Sequence, residues 1–106
     1  MPEIKEAEEL EIKNKIEDEI EFELPPMFKV VMINDDYTPV EFVLYLLITV
    51  FQKNQEEAFK LMKDVHDLGR GCIAIYPKDI AETKLRQAKT VIEQNQEVLN
   101  LILEKE

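Results

Sequence analysis

Phe28-Lys29-Val30-Val31-Met32-Ile33-Asn34-Asp35-Asp36-Tyr37-Thr38-Pro39-Val40-Glu41 holds a strand, an acidic turn and a helix start in direct succession. Phe28 to Ile33 is apolar and rich in β-branched residues, which suits a strand of a core sheet. Thr38-Pro39-Val40-Glu41 has the spacing of a capping box with proline at the first helical position. The threonine hydroxyl and the glutamate side chain are then expected to satisfy backbone donors reciprocally. Between the two elements, Asn34, Asp35 and Asp36 set several oxygen acceptors at one rim. The same residue types also make plain turns, because their side chains bond nearby backbone amides.

Downstream, Phe42, Val43, Leu46, Leu47 and Val50 fall on one broad helical face, so the first helix packs inward and is expected to run to about Phe51. Asn54, with Glu57 three residues on, starts a second helix whose buried stripe is Ala58, Leu61, Met62 and Val65. Gly69 ends it as a left-handed cap. Cys72 to Tyr76 reads as a second strand. A third helix begins at Pro77 or Asp79, with Ala81, Leu85, Ala88 and Ile92 inward, and Val98 to Leu103 closes the chain as a third strand. The order β-α-α-β-α-β predicts an α+β layer fold, a three-stranded sheet covered on one face by helices.

Upstream the composition changes. The first 24 residues hold ten acidic groups against Lys5, Lys13 and Lys15, a net of −7, and leave −3 for the remaining 82 of the 106 residues. Ile12, Ile16 and Ile20 are spaced as in a helix, whereas Glu19 to Leu24 alternates as in a strand. Like charge at this density cannot bury enough surface to offset its ordering entropy, so a mobile segment is expected. Pro25-Pro26 closes it, because consecutive prolines continue neither helix nor ladder. The expected division is an acidic extension over residues 1–26 and a core over residues 27–106.

The charge balance also excludes partners. With 23 acidic and 13 basic residues there is no basic stripe to neutralise phosphates, so nucleic acid and anionic membrane are not expected. No apolar run approaches the roughly 20 residues that span a bilayer, and neither a secretion signal nor a transit peptide is recognisable. The single Cys72 allows no disulfide within the chain, which fits the cytosol, and its apolar neighbours Ile73-Ala74-Ile75 predict a buried thiol.

The chemistry on offer is that of binding. The chain has no serine, Cys72 lies in a strand pattern, and Gly69 and Gly71 are the only glycines, so neither a hydrolytic nucleophile nor a phosphate cradle is present. One histidine with two aspartates matches no common metal spacing, although Asp35, Asp36 and His66 form a conceivable ion site. Neither a cofactor nor a metal is expected, and the chain is read as no enzyme. His66 follows Val65 at the margin of the second helix's apolar stripe. A neutral imidazole brought beside Asn34 and Asp35 would complete a receptor for an ammonium group.

Pro25-Pro26, Val30, Asn34 to Pro39, Glu41-Phe42-Val43, Ala58, Leu61-Met62, Val65-His66, Gly69 and Ala81 to Lys84 resemble the ClpS family of N-degron adaptors, over about residues 25–103. The resemblance implies an antiparallel three-stranded sheet like the C-terminal domain of the large ribosomal stalk protein. It implies delivery of proteins with N-terminal Leu, Phe, Tyr or Trp to a ClpA-type AAA+ unfoldase for degradation by ClpP. It places the client's α-amino group on Asn34, Asp35 and His66, and the first side chain among Asp36, Thr38, Val40, Met62, Val65 and Leu99. It assigns unfoldase contact to Asp79, Glu82 and Lys84, hand-over to the flexible extension, and a monomeric state. Val40 stands where the family is familiar with methionine, and Asp79 where it is familiar with glutamate. A ribosomal-stalk-like interaction module would share the fold without needing Asn34, Asp35 and His66.

Overall fold

The computed structural model describes residues 25–106, and the expected mobile segment over residues 1–24 lies outside them. The element order is β1 (Met27–Ile33), α1 (Val40–Thr49), α2 (Gln55–Leu68), β2 (Arg70–Pro77), α3 (Lys78–Gln94) and β3 (Asn100–Lys105), as the periodicity predicts. β1 is the central strand, antiparallel to both neighbours in the order β2-β1-β3, with Val30 opposite Ala74 on one side and Leu103 on the other. Its inward residues Val30 and Met32 meet Leu46 and Leu47 of α1, Ala58 and Val65 of α2, and Ala88 and Ile92 of α3 in one buried cluster. Alternation leaves the other sheet face without a helix among the described residues.

A bulge between Val30 and Val31 sets Val31 opposite Cys72, so Ile73 is the extra residue of β2 and turns into the core. Cys72 therefore lies on the open face and is exposed, against the buried thiol that its apolar neighbours predict. On that face Arg70 of β2 pairs with Glu104 of β3 across the central strand, and Val31 lies between Cys72 and Ile102, nearly inaccessible.

Two helix starts contrast. At α2 the Asn54 side chain accepts from the Glu57 amide at 2.8 Å, the N-cap its position predicts, and donates to the Glu57 carboxylate at 2.6 Å. At α1 the predicted capping box does not form. Pro39 is the cap residue, one position later than the box requires, and no side chain caps the helix; the Thr38 hydroxyl donates to Asp35 within the preceding loop. α1 ends at Thr49, short of Phe51, and the Val50 carbonyl accepts from Lys84 Nζ of α3 at 2.9 Å. α3 starts directly after Pro77, and β3 starts at Asn100, two residues past the predicted Val98.

Candidate functional site

Three junctions converge at one end of the sheet. β1 delivers Asn34, whose backbone amide donates to the Gly69 carbonyl at 2.9 Å. Gly69 closes α2 at φ 86°, a conformation that glycine adopts without Cβ strain, and its own amide donates to Val65 at 2.9 Å. These two bonds fix the end of β1 against the end of α2, so Asn34 and His66, 32 positions apart in the chain, line the same cavity.

Asp35 organises the loop between β1 and α1. Its Oδ1 accepts from the amides of Tyr37 (2.8 Å) and Thr38 (2.7 Å), and its Oδ2 accepts the Thr38 hydroxyl at 2.8 Å. Burial raises its pKa, but the Thr38 hydroxyl, the Thr38 amide and the Tyr37 amide together outweigh that and hold the carboxyl below its ordinary value. The group is thus an anion at neutral pH. A carboxylate has about four lone-pair sites, so with three donors engaged it retains room for about one more.

The cavity, of about 60 Å³, is lined by Met32, Asn34, Asp35, Thr38, Val40, Val43, Met62, Val65, His66 and Leu99. Met32, Val43, Val65 and Leu99 are buried, and Val40 is half-exposed. A narrow apolar recess thus has polar acceptors on one side. His66 Nδ1 lies 3.4 Å from Asp67 Oδ1. A proton held on Nδ1 toward that carboxylate leaves Nε2 as an acceptor.

Of the sequence-predicted pocket residues, Asn34, Asp35, Thr38, Val40, Met62, Val65, His66 and Leu99 come together, and Asp36 does not. Asp36 is exposed because the turn folds around the Asp35 side chain, which draws in the amides on its far side and leaves its neighbour pointing to water. Met32 and Val43 join the lining although sequence reasoning left them out. Both signals were available: Met32 lies two residues before Asn34 on a strand of period two, and Val43 lies one helical turn beyond Val40. Among the described residues, no three His, Cys, Asp or Glu side chains converge as a metal set.

The residues assigned to an unfoldase contact divide. Asp79 and Glu82 are exposed in the first turns of α3, whereas Lys84 is half-buried with its ammonium on the Val50 carbonyl. No helix among the described residues is long and apolar enough to cross a membrane.

A family model described as ATP-dependent Clp protease adaptor protein ClpS matches residues 23–102. The chain belongs to the ClpS family. ClpS proteins are adaptors of the Clp protease, not enzymes. The chain is 43% identical over 94 residues to the ClpS adapter of Wolinella succinogenes, covering 89% of this chain and 92% of that one. It is 44% identical over 80 residues to that of Nitrosospira multiformis, covering 76% and 78%. It is 44% identical over 86 residues to that of Shewanella halifaxensis, covering 81% and 84%. Among solved structures, Agrobacterium tumefaciens ClpS2 bound to L-phenylalaninamide superposes with a TM-score of 0.75 at 34% identity, covering 78% of this chain and all of that one. The ClpS fold is the α+β arrangement described above.

Proposed function

We propose that this chain is an N-degron adaptor. It binds the free N-terminal Leu, Phe, Tyr or Trp of client proteins and delivers them to a ClpA-type unfoldase for degradation by ClpP. The supporting observation is the meeting of Asn34, an ionised Asp35 and His66 with a narrow recess walled by Met32, Val43, Val65 and Leu99. A protonated amine has three donors and needs acceptors, and charge-assisted bonds are worth about 1.5–3 kcal/mol each. Burying a Leu or Phe side chain adds about 1.5–3 kcal/mol, so amine and side chain each supply a substantial share of the binding free energy against the cost of association.

Asp35 has a double role in this reading. Three of its lone-pair sites hold the loop, and the fourth, with the negative charge, faces the amine. Asn34 and His66 supply the remaining acceptors. The ligand of the Agrobacterium relative, an amino-acid amide with a free amine and an aromatic side chain, has the chemistry this site suits.

The test compares Leu-starting peptides with free and acetylated N-termini by fluorescence anisotropy, with Asn34→Ala and His66→Ala as variants. Binding is expected only for the free amine and is expected to fall at least about tenfold in each variant, the loss of one charge-assisted bond. Equal binding of free and acetylated peptides would refute the reading and favour a plain stalk-like interaction module.

A further inference from the structure

We propose that the seam between α1 and α2 is a second reading site for the client chain, taking a large apolar side chain that lies between basic neighbours about three to five residues beyond the client's first. This rests on the N-degron reading above and adds to it a surface outside the amine pocket.

The seam forms an open groove of about 630 Å³ with Leu44 at its base. Tyr45, Ile48 and Phe59 stand along it with 53, 38 and 58% of their surface in water. Three large apolar side chains on two neighbouring helices form a patch of the kind that marks a binding groove. Glu41 and Glu56 border it, and among the described residues no lysine or arginine lines it.

The groove begins where the amine pocket ends. On α1, Val40 lines the pocket and the next residue, Glu41, lines the groove; on α2, Met62 lines the pocket and Phe59, one turn earlier, lines the groove. From Val40 to Ile48 the helix rises about 12 Å, which an extended chain covers in about four residues. A client anchored by its first residue can therefore lay its next few residues along the seam.

Charge selects this occupant over a second copy of the chain, whose net charge of −10 is repelled by a rim of glutamates. A segment with Lys or Arg beside Leu, Phe or Met is attracted by the same rim and buries its apolar side chain on Phe59 and Tyr45.

Two fluorescent peptides that share Leu-Ala at their first two positions and continue with Lys-Phe-Lys or Lys-Ser-Lys isolate the effect by anisotropy. The full chain is expected to bind the Phe peptide about tenfold more tightly, the worth of one apolar anchor. Phe59→Ser, checked for an unchanged melting temperature, is expected to remove that difference while affinity for leucinamide stays at the wild-type level; Tyr45→Ser is expected to do the same. Equal affinities in the wild type, or a preference that survives both substitutions, overturn the proposal. Tight binding of the acetylated Phe peptide also overturns it, because the groove would then serve a partner independent of the client's amine. If leucinamide and its acetylated form bind alike, it is the N-degron reading that fails instead.

Discussion

The Asp35 carboxylate accepts the Thr38 hydroxyl at 2.8 Å and holds Thr38 in the loop, one residue before the Pro39 cap of α1. The consequence is a closed loop between β1 and α1, with a charged oxygen fixed at the mouth of the pocket. The cap that α1 forgoes is left to the Pro39 carbonyl, which accepts from the amides of Phe42 at 3.1 Å and Val43 at 3.2 Å.

This loop predicts an acid-sensitive contribution to stability. The folded pKa of Asp35 is lowered, so the unfolded chain takes up its proton first as pH falls. The stabilisation is fully present above the unfolded value, about 3.9, and is lost as pH drops through the folded one. The gap in melting temperature between wild type and Asp35→Asn is therefore expected to be widest near neutrality and to close below about pH 4. A gap that stays constant down to pH 3 would contradict the assignment.

Gly71 decides the shape of the pocket wall from behind. A Cβ at this position would stand 3.0 Å from Cγ2 of Val65, which lines the cavity. Gly71→Ala is expected to push Val65 inward and weaken binding of N-terminal Trp and Phe more than that of Leu. Competition assays with the three amino-acid amides measure this, and a uniform loss would mean a general defect of the fold.

Val40 stands half-exposed at the mouth. Shorter than methionine, it leaves more room for a branched first side chain. Val40→Met is expected to raise the affinity ratio of Leu-starting over Ile-starting peptides; an unchanged ratio would remove Val40 from the specificity of the site.

Lys84 is expected to contribute to stability. Its ammonium on the Val50 carbonyl closes the end of α1, a charge-assisted bond of up to about 1.5–3 kcal/mol. Lys84→Ala should therefore lower the melting temperature by several degrees, at about 4–8 °C per kcal/mol for a domain of this size. Glu82→Ala, on an exposed side chain, should leave the melting temperature alone. If both variants weaken unfoldase binding, Glu82 reports the contact itself and Lys84 the position of α3 against α1. An unaltered melting temperature in Lys84→Ala would return that lysine to the surface role.

The acidic extension is expected to serve delivery alone. Deleting residues 1–24 should abolish degradation of an N-degron client by the reconstituted Clp protease while peptide affinity stays at the wild-type level. Loss of peptide binding in the same deletion would show that the extension takes part in recognition.

What the sequence by itself determined is everything governed by neighbours in the chain. The apolar run ending at Ile33, the Asn54 and Glu57 pair and the glycine at position 69 each act through local geometry, so strand, helix start and left-handed stop were legible, and the motif Asn34 to Pro39 with Val65-His66 carried the family. Tertiary structure decided what depends on competition or on distant partners. The Thr38 hydroxyl could accept from a helix amide or donate to Asp35, and only the folded loop settled it on Asp35. The bulge at Ile73 set Cys72 on the open face, since one extra residue reverses the side on which its neighbours fall. Lys84 met Val50 across 34 positions, and the groove along α1 and α2 arose only when the two helices came to lie side by side. Periodicity records which way a side chain points from its own element, and it holds no information about which of several possible partners the rest of the chain will bring there.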